Sequence, residues 1–182
     1  LDYYSSNYDP RFGASPREIM EKNLNKCRSY AANFDSGSGN LLFVGGTGLG
    51  KTFLSACIAR EVAANGYSVS YETASQLFAK LEKHRFHPEE ETAQAVKKLT
   101  DCDLLIVDDL GTELPGQFVT AALYSLLNER LLAGKPMVVS TNLTIDEVGQ
   151  RYSPQIKSRL QGNFRLLPFV GQDIRVLLNR GF

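Results

Sequence analysis

An excess of either charge is the first thing this sequence lacks. Lys and Arg together number 20, Asp and Glu together number 20, and the formal net charge is zero. A whole-surface field for nucleic acid is therefore excluded, and any DNA contact must come from a local patch. Long apolar runs are missing too. None approaches 18 residues, and no charged segment precedes an apolar one at the start, so neither a membrane-spanning helix nor a secretory leader is expected from these residues. A cytoplasmic location is the expectation. Cysteine is scarce and scattered: Cys27, Cys57 and Cys102 form no Cys-x-x-Cys pair, and only His84 and His87 could join them. That argues against structural zinc and against a disulfide framework, leaving buried free thiols in a reduced compartment. There is no internal repeat. The chain opens at Leu1 without a methionine, which suggests a fragment or processed product with a domain missing upstream.

What is present suits one α/β domain. The 182 residues are 43% hydrophobic and 22% charged, a balance that makes disorder an unnecessary reading. Residues 1–40 are polar and turn-rich around one helix, opened by Ser15 with Pro16 at its first position and running to about Phe34. From Leu41 the order becomes regular. Apolar runs at Leu41–Val44, Ser68–Tyr71, Leu104–Val107, Met137–Ser140 and Phe164–Phe169 read as strands. Helical patterns lie between them: Lys51–Ala64, Thr73–Leu81, Thr92–Leu99, Phe118–Leu132, one from Thr144, and one from Ser153 to near Gly162. Such alternation predicts a five-stranded parallel sheet with helices on both faces, and ligands beyond the carboxyl ends of its strands.

Directly after the first strand, Gly45, Gly46, Thr47, Gly48, Leu49, Gly50, Lys51 and Thr52 match G-x-x-x-x-G-K-[ST] at every fixed position. Glycines let successive backbone N–H groups turn inward on phosphate oxygens, and the helix that follows adds its positive end. Lys51 then reaches the β- and γ-phosphates of ATP and Thr52 offers its hydroxyl to Mg²⁺. Phe53 completes the nucleotide-binding set. The third strand ends in Asp108-Asp109. Asp108 is the candidate metal-side carboxylate and Asp109 the candidate for polarising the attacking water. The fourth strand ends in Ser140-Thr141-Asn142, which a parallel sheet places between the first and third strands. From there the Asn142 amide could reach a γ-phosphate or the lytic water, although a helix-capping turn would use the same residues.

These motifs together resemble the AAA+ family, and within it the bacterial DnaC/DnaI-type helicase loaders with their IstB-like relatives. The resemblance covers about Leu41 to Arg175. It rests on Gly45–Thr52 as Walker A, Leu104–Asp109 as Walker B and Asn142 as sensor 1. Softer agreement comes from Tyr71-Glu-Thr-Ala74, Asp108-Asp-Leu-Gly-Thr-Glu113, Ser158-Arg-Leu160 and Gly171-Gln-Asp-Ile-Arg175. The Asp-Asp form departs from the usual Asp-Glu of AAA+ proteins and is common among loaders. It leaves the hydrolytic rate open, since the shorter side chain stands further from the water. By resemblance, Arg159 matches an arginine finger that reaches a neighbouring subunit, and Arg175 a sensor 2 arginine acting within its own subunit. The helical lid of larger relatives is absent or vestigial after Arg175. The resemblance further implies an ATPase over residues 41–182 that self-associates on single-stranded DNA. It implies a replicative helicase as partner, held through an N-terminal domain upstream of this chain. Lys80, Lys83, His84, Arg85 and Phe86, extended by Lys97 and Lys98, form the candidate DNA patch, against the plainer reading of a solvated helix face. An IstB-type transposition helper and a self-contained P-loop kinase are the alternatives.

Overall fold

The computed structural model describes residues 1–179, so the last three residues of the expected ATPase domain lie outside the described residues. Its elements are α1 (Pro16–Ala32), β1 (Asn40–Val44), α2 (Lys51–Ala64), β2 (Val69–Thr73), α3 (Ala74–Phe86), α4 (Glu90–Asp101), β3 (Leu104–Leu110), α5 (Gln117–Leu132), β4 (Met137–Thr141), α6 (Ile145–Arg151), α7 (Pro154–Asn163), β5 (Phe164–Pro168) and α8 (Ile174–Asn179). All five strands are parallel, in the order β2-β3-β4-β1-β5. This is the predicted α/β architecture, with β4 between β1 and β3.

The inner strands β1, β3 and β4 are apolar along most of their length because both faces of the sheet are covered there, while the edge strands β2 and β5 are more polar and more exposed. Successive side chains point to opposite faces, and the burial follows that alternation. Leu41, Phe43, Leu104, Ile106 and Val138 join α1 and α2 in one cluster with Met20, Leu54, Ile58 and Val62. Leu42, Leu105, Val107, Met137 and Val139 join α3 to α7 in the other, with Leu77, Leu99, Leu123, Leu127, Ile156 and Leu160.

Helix starts follow the local signals. Ser15, Thr73 and Thr144 each cap a backbone N–H three residues on and are answered by Glu18, Gln76 and Glu147, three complete capping boxes. Ser153 caps α7 ahead of Pro154. α3 and α4 run further than their apolar spacing suggested, to Phe86 and from Glu90 to Asp101. The extra residues are mainly polar or charged, among them the good helix formers Glu82, Lys83, Arg85, Glu90 and Glu91, and they add no apolar stripe. α8, six residues long, is the only helix after β5 among the described residues.

Two residues depart from expectation. Cys27 and Cys102 are buried, but Cys57 lies on the exposed face of α2, between the core positions Leu54 and Ile58. Burial pushes the Cys27 thiol up to about 12. Arg130, inside α5, is fully buried. Its Nη1 donates to the carbonyls of Leu99 (2.8 Å), Thr100 (3.0 Å) and Cys102 (3.1 Å), and its Nη2 to that of Pro136 (2.8 Å). It closes the carboxyl end of α4, where the carbonyl dipoles favour a cation, and binds that end to the entries of β3 and β4.

Candidate nucleotide site

The loop from Val44 to Lys51 crosses the carboxyl end of the sheet, and its glycines are there for contact as much as for turning. Gly45 sits at φ 157°, and a Cβ there would fall 2.1 Å from the carbonyl oxygen of Phe169. Gly48 has φ 71°, and a Cβ would meet the Asp173 carboxylate at 1.8 Å. The Ile174 N–H donates to the Gly48 carbonyl at 3.0 Å. The segment after β5 therefore packs directly on the phosphate loop.

Gly50, at φ 84°, begins α2 and gives it no side-chain cap, in contrast to α1, α3, α6 and α7. The first N–H groups of α2 thus remain available to an anion. Lys51 is buried, and its ammonium donates to the carbonyls of Gly45 and Gly46 at 2.6 Å each. Burial lowers its pKa; Asp109 and Asp108 oppose the shift, and Arg175 adds to it.

A cavity of about 920 Å³ opens over this loop. Its polar side is formed by Thr47, Gly48, Lys51, Thr52, Asp109, Thr112, Asn142 and Arg175. Leu1, Tyr3, Tyr4, Met20, Leu24, Phe53 and Leu178 form an apolar side. Tyr4 is anchored by its hydroxyl, which donates to the Leu49 carbonyl at 2.9 Å. Leu49 contributes that carbonyl while its side chain is buried in the core.

The acidic pair is split by a kink. In a regular strand Asp108 and Asp109 would face opposite sides. Here the β3–β4 register shifts between Val107 and Leu110, and Asp109 takes φ 57°, a left-handed conformation that Asp tolerates better than most residues. Asp108 is buried and held by two hydroxyls: Ser140 donates to its Oδ1 and Tyr71 to its Oδ2, the latter at 3.0 Å. The Asp109 N–H donates to Ser140 Oγ at 3.0 Å, and its carboxylate turns into the cavity. Burial and the neighbouring Asp108 raise the pKa of Asp109, opposed by Lys51 and Arg175.

Arg175 faces the cavity but is also paired with Asp173 at 3.3 Å, the plain surface pairing that sequence alone would favour. Arg159 is elsewhere. It lies on α7 with Nη2 donating to the Tyr124 hydroxyl at 2.9 Å, Nε donating to Asn128 Oδ1, and its guanidinium 4.5 Å from the centre of the Tyr124 ring.

Sequence alone assigns no contact in this region to the side chains of Tyr71, Ser140, Tyr4 and Glu113. Only pairing could reveal the first two: Tyr71 is one residue along β2 from Glu72, the partner of Val107 in register, and β4 lies against β3. The candidate DNA patch is partly engaged within the chain. Lys80 pairs with Glu72, His84 Nδ1 bonds Thr92 Oγ1 at 3.0 Å, and Lys97 pairs with Asp101 at 3.9 Å. Arg85 lies over Phe86 and Phe118, at 5.8 and 5.3 Å from the ring centres, and Phe86 is 63% exposed. Among the described residues, no helix is long and apolar enough to cross a membrane.

The features of the loop fit a nucleoside triphosphate: Gly45 and Gly48 let it fold tightly against Phe169 and Asp173, and the buried Lys51 ammonium and the uncapped end of α2 border the cavity. Thr52 lines this cavity, whereas Asp108 lies beneath it with both carboxylate oxygens held by Ser140 and Tyr71; these are oxygen donors of the type Mg²⁺ takes.

Comparison with known proteins agrees with this geometry. The family described as IstB-like ATP binding protein matches residues 7–157. The replicative helicase loader DnaC of Buchnera aphidicola subsp. Baizongia pistaciae (strain Bp) is 24% identical over 118 residues, 64% of this chain and 48% of that protein. A putative insertion sequence ATP-binding protein of Sinorhizobium fredii (strain NBRC 101917 / NGR234) is 35% identical over 91 residues, 50% of this chain and 30% of that protein. The crystal structure of the DnaC helicase loader shares the fold, with a TM-score of 0.76 at 19% identity, covering 84% of this chain and 90% of that one. The chain spans about half the length, or less, of curated relatives such as these.

Proposed function

This chain belongs to the family of IstB-like ATP binding proteins, and on that premise we propose that it is a slow ATPase that self-associates on single-stranded DNA and delivers a replicative helicase. It is an AAA+ ATP-binding domain related to helicase loaders and to insertion-sequence ATP-binding proteins. The observation that carries the proposal is the convergence of Lys51, Thr52, Asp109, Asn142 and Arg175 on one cavity at the carboxyl ends of β1, β3 and β4.

The loop N–H groups and the α2 terminus hold the phosphates, and Lys51 exchanges its two carbonyl partners for β- and γ-phosphate oxygens. Thr52 and Asp108 would hold Mg²⁺, which would supply neutralisation of charge on the phosphates. Asp108 is oriented for this by Ser140 and Tyr71. Asp109 and Asn142 fix the attacking water, with Asp109 as proton acceptor. Arg175 stabilises the phosphates of its own subunit. Arg159 is turned away from its own cavity, as a residue serving a neighbour's γ-phosphate must be, and stabilises charge developing there. The apolar side of the cavity takes the base. Lys83, Arg85, Phe86 and Lys98 contact DNA, with the exposed Phe86 ring available for base stacking.

The insertion-sequence relative, the more identical of the two over its matched stretch, favours a second reading: a transposition helper that binds duplex DNA and recruits a transposase. DNA anisotropy titrations with ATP and Mg²⁺ separate the two. The loader reading expects ATP-dependent preference for single strands, reduced by Arg85→Ala. A preference for duplex would overturn it in favour of the helper, and equal, ATP-independent binding would remove DNA from the account.

A further inference from the structure

Glu113 is a buried carboxylate that the nucleotide cavity does not use. It lies four residues beyond Asp109, on the turn between β3 and α5, and is 7% exposed. Its Oε2 accepts the Gly111 N–H at 2.9 Å. Its Oε1 accepts the Tyr152 hydroxyl and lies 3.6 Å from Arg151 Nε, while Arg151 Nη2 donates to the Glu113 carbonyl. Tyr152 and Arg151 stand at the end of α6. The next residue, Ser153, caps α7, the helix that carries Arg159.

The turn on the other side of Glu113 is closed on Asp109. Both the N–H and the hydroxyl of Thr112 donate to the Asp109 carbonyl, at 3.2 and 2.8 Å. Gly111, at φ 105°, packs on Leu143, where a Cβ would come within 2.7 Å of a methyl carbon. The turn that gives Asp109 its left-handed backbone is thus clamped at Gly111 by a carboxylate whose other oxygen is held from α6. Burial and the adjacent carboxylate push the Tyr152 hydroxyl up, so it stays the donor.

We propose that Glu113 is a positioning residue for ATP hydrolysis: it fixes the turn that aims Asp109 and ties that turn to the corner from which the Arg159 helix departs. The proposal rests on reading Asp109 as the water-polarising group of an ATPase. It adds a path by which the nucleotide end of β3 and the intersubunit arginine move together, since Glu113 touches both supports and neither ligand. A buried carboxylate with three partners could instead serve stability alone, and the two roles separate in kinetics.

The test uses the full chain and two variants, Glu113→Gln and Tyr152→Phe. The second keeps the buried ring and removes only the hydroxyl, so it remains informative if the first fails to fold. ATP turnover, affinity for a fluorescent ATP analogue and thermal midpoint are measured for each. The expected result is kcat lower by about 10-fold or more, the scale set by sub-ångström to 1 Å misplacement of a catalytic group. Analogue affinity should stay within about twofold, and the thermal midpoint of Tyr152→Phe close to that of the parent. Unchanged kcat in a folded variant would overturn the proposal, as would affinity and midpoint falling in step with kcat. A parent chain that hydrolyses no ATP, alone or with DNA, would instead overturn the ATPase reading on which the proposal stands.

Discussion

Replacing Lys51 with alanine should abolish tight nucleotide binding without unfolding the protein. In the nucleotide-free chain the ammonium has only the carbonyls of Gly45 and Gly46 as hydrogen-bond partners, and burial already lowers its pKa. Its removal frees two loop carbonyls that border an open cavity and can take water, so the thermal midpoint should move by no more than a few degrees. With ATP bound, the same ammonium makes about two charge-assisted bonds to phosphate, each worth about 1.5–3 kcal/mol. Their loss weakens binding by about 3–6 kcal/mol, or roughly 10²–10⁴-fold. At a nucleotide concentration 100 times the parent's Kd, the parent gains about 2.7 kcal/mol. For a chain of this size that raises the thermal midpoint by about 5–11 °C. The variant at the same concentration should shift by less than about 2 °C. Thermal shift and calorimetric titration read the two quantities separately. A variant that keeps its affinity within about threefold would refute the assignment of the loop.

Arg130→Ala leaves four buried carbonyls without their donor, and we expect a loss of about 3–5 kcal/mol, read as a fall in midpoint of about 6–20 °C; a loss below about 1 kcal/mol would deny Arg130 its structural role. Arg159→Ala should bind ATP normally yet lose the concentration-dependent part of turnover, by about 10³-fold if it acts as a finger. Mixing it with Asp109→Asn should recover activity at interfaces that pair an intact Asp109 with an intact Arg159, and no recovery at any ratio would count against a shared site. Glu18 and Glu147 accept backbone N–H bonds at their helix starts, which lower their pKa values. Groups depressed in the folded state contribute stability above their unfolded pKa of about 4.3 and lose it as pH falls through the folded value. A Glu18→Gln, Glu147→Gln double variant should therefore show a flatter decline of urea midpoint below about pH 4.5, and an unchanged acid slope would contradict this.

The parts of the molecule legible in its sequence are those decided locally. The phosphate loop announces itself because glycine turns, Lys51 and a helix start occupy consecutive positions, and the capping boxes at Ser15, Thr73 and Thr144 are written within four residues. The parallel sheet, with β4 between β1 and β3, was legible from the alternation of strands and helices. What stayed hidden depends on residues distant in sequence. That Tyr71 and Ser140 would clasp Asp108 requires knowing that β2 and β4 flank β3. Glu113 reads as part of a polar turn until Tyr152, 39 residues on, is seen against it. Arg130 looks like the polar face of an amphipathic helix, because most of its partners are backbone carbonyls, which leave no mark on sequence. The twist at Asp109 is equally silent: two adjacent aspartates do not say that the strand breaks its register between them.

Turnover of ATP per subunit, measured over a wide range of protein concentration with and without single-stranded DNA, tests the central claim most directly. A machine whose site is completed by a neighbour's Arg159 must give a specific rate that climbs with concentration and climbs again when DNA gathers the subunits. A rate indifferent to both would mean that each chain hydrolyses ATP alone, and that Arg159 is only a surface residue packed on Tyr124.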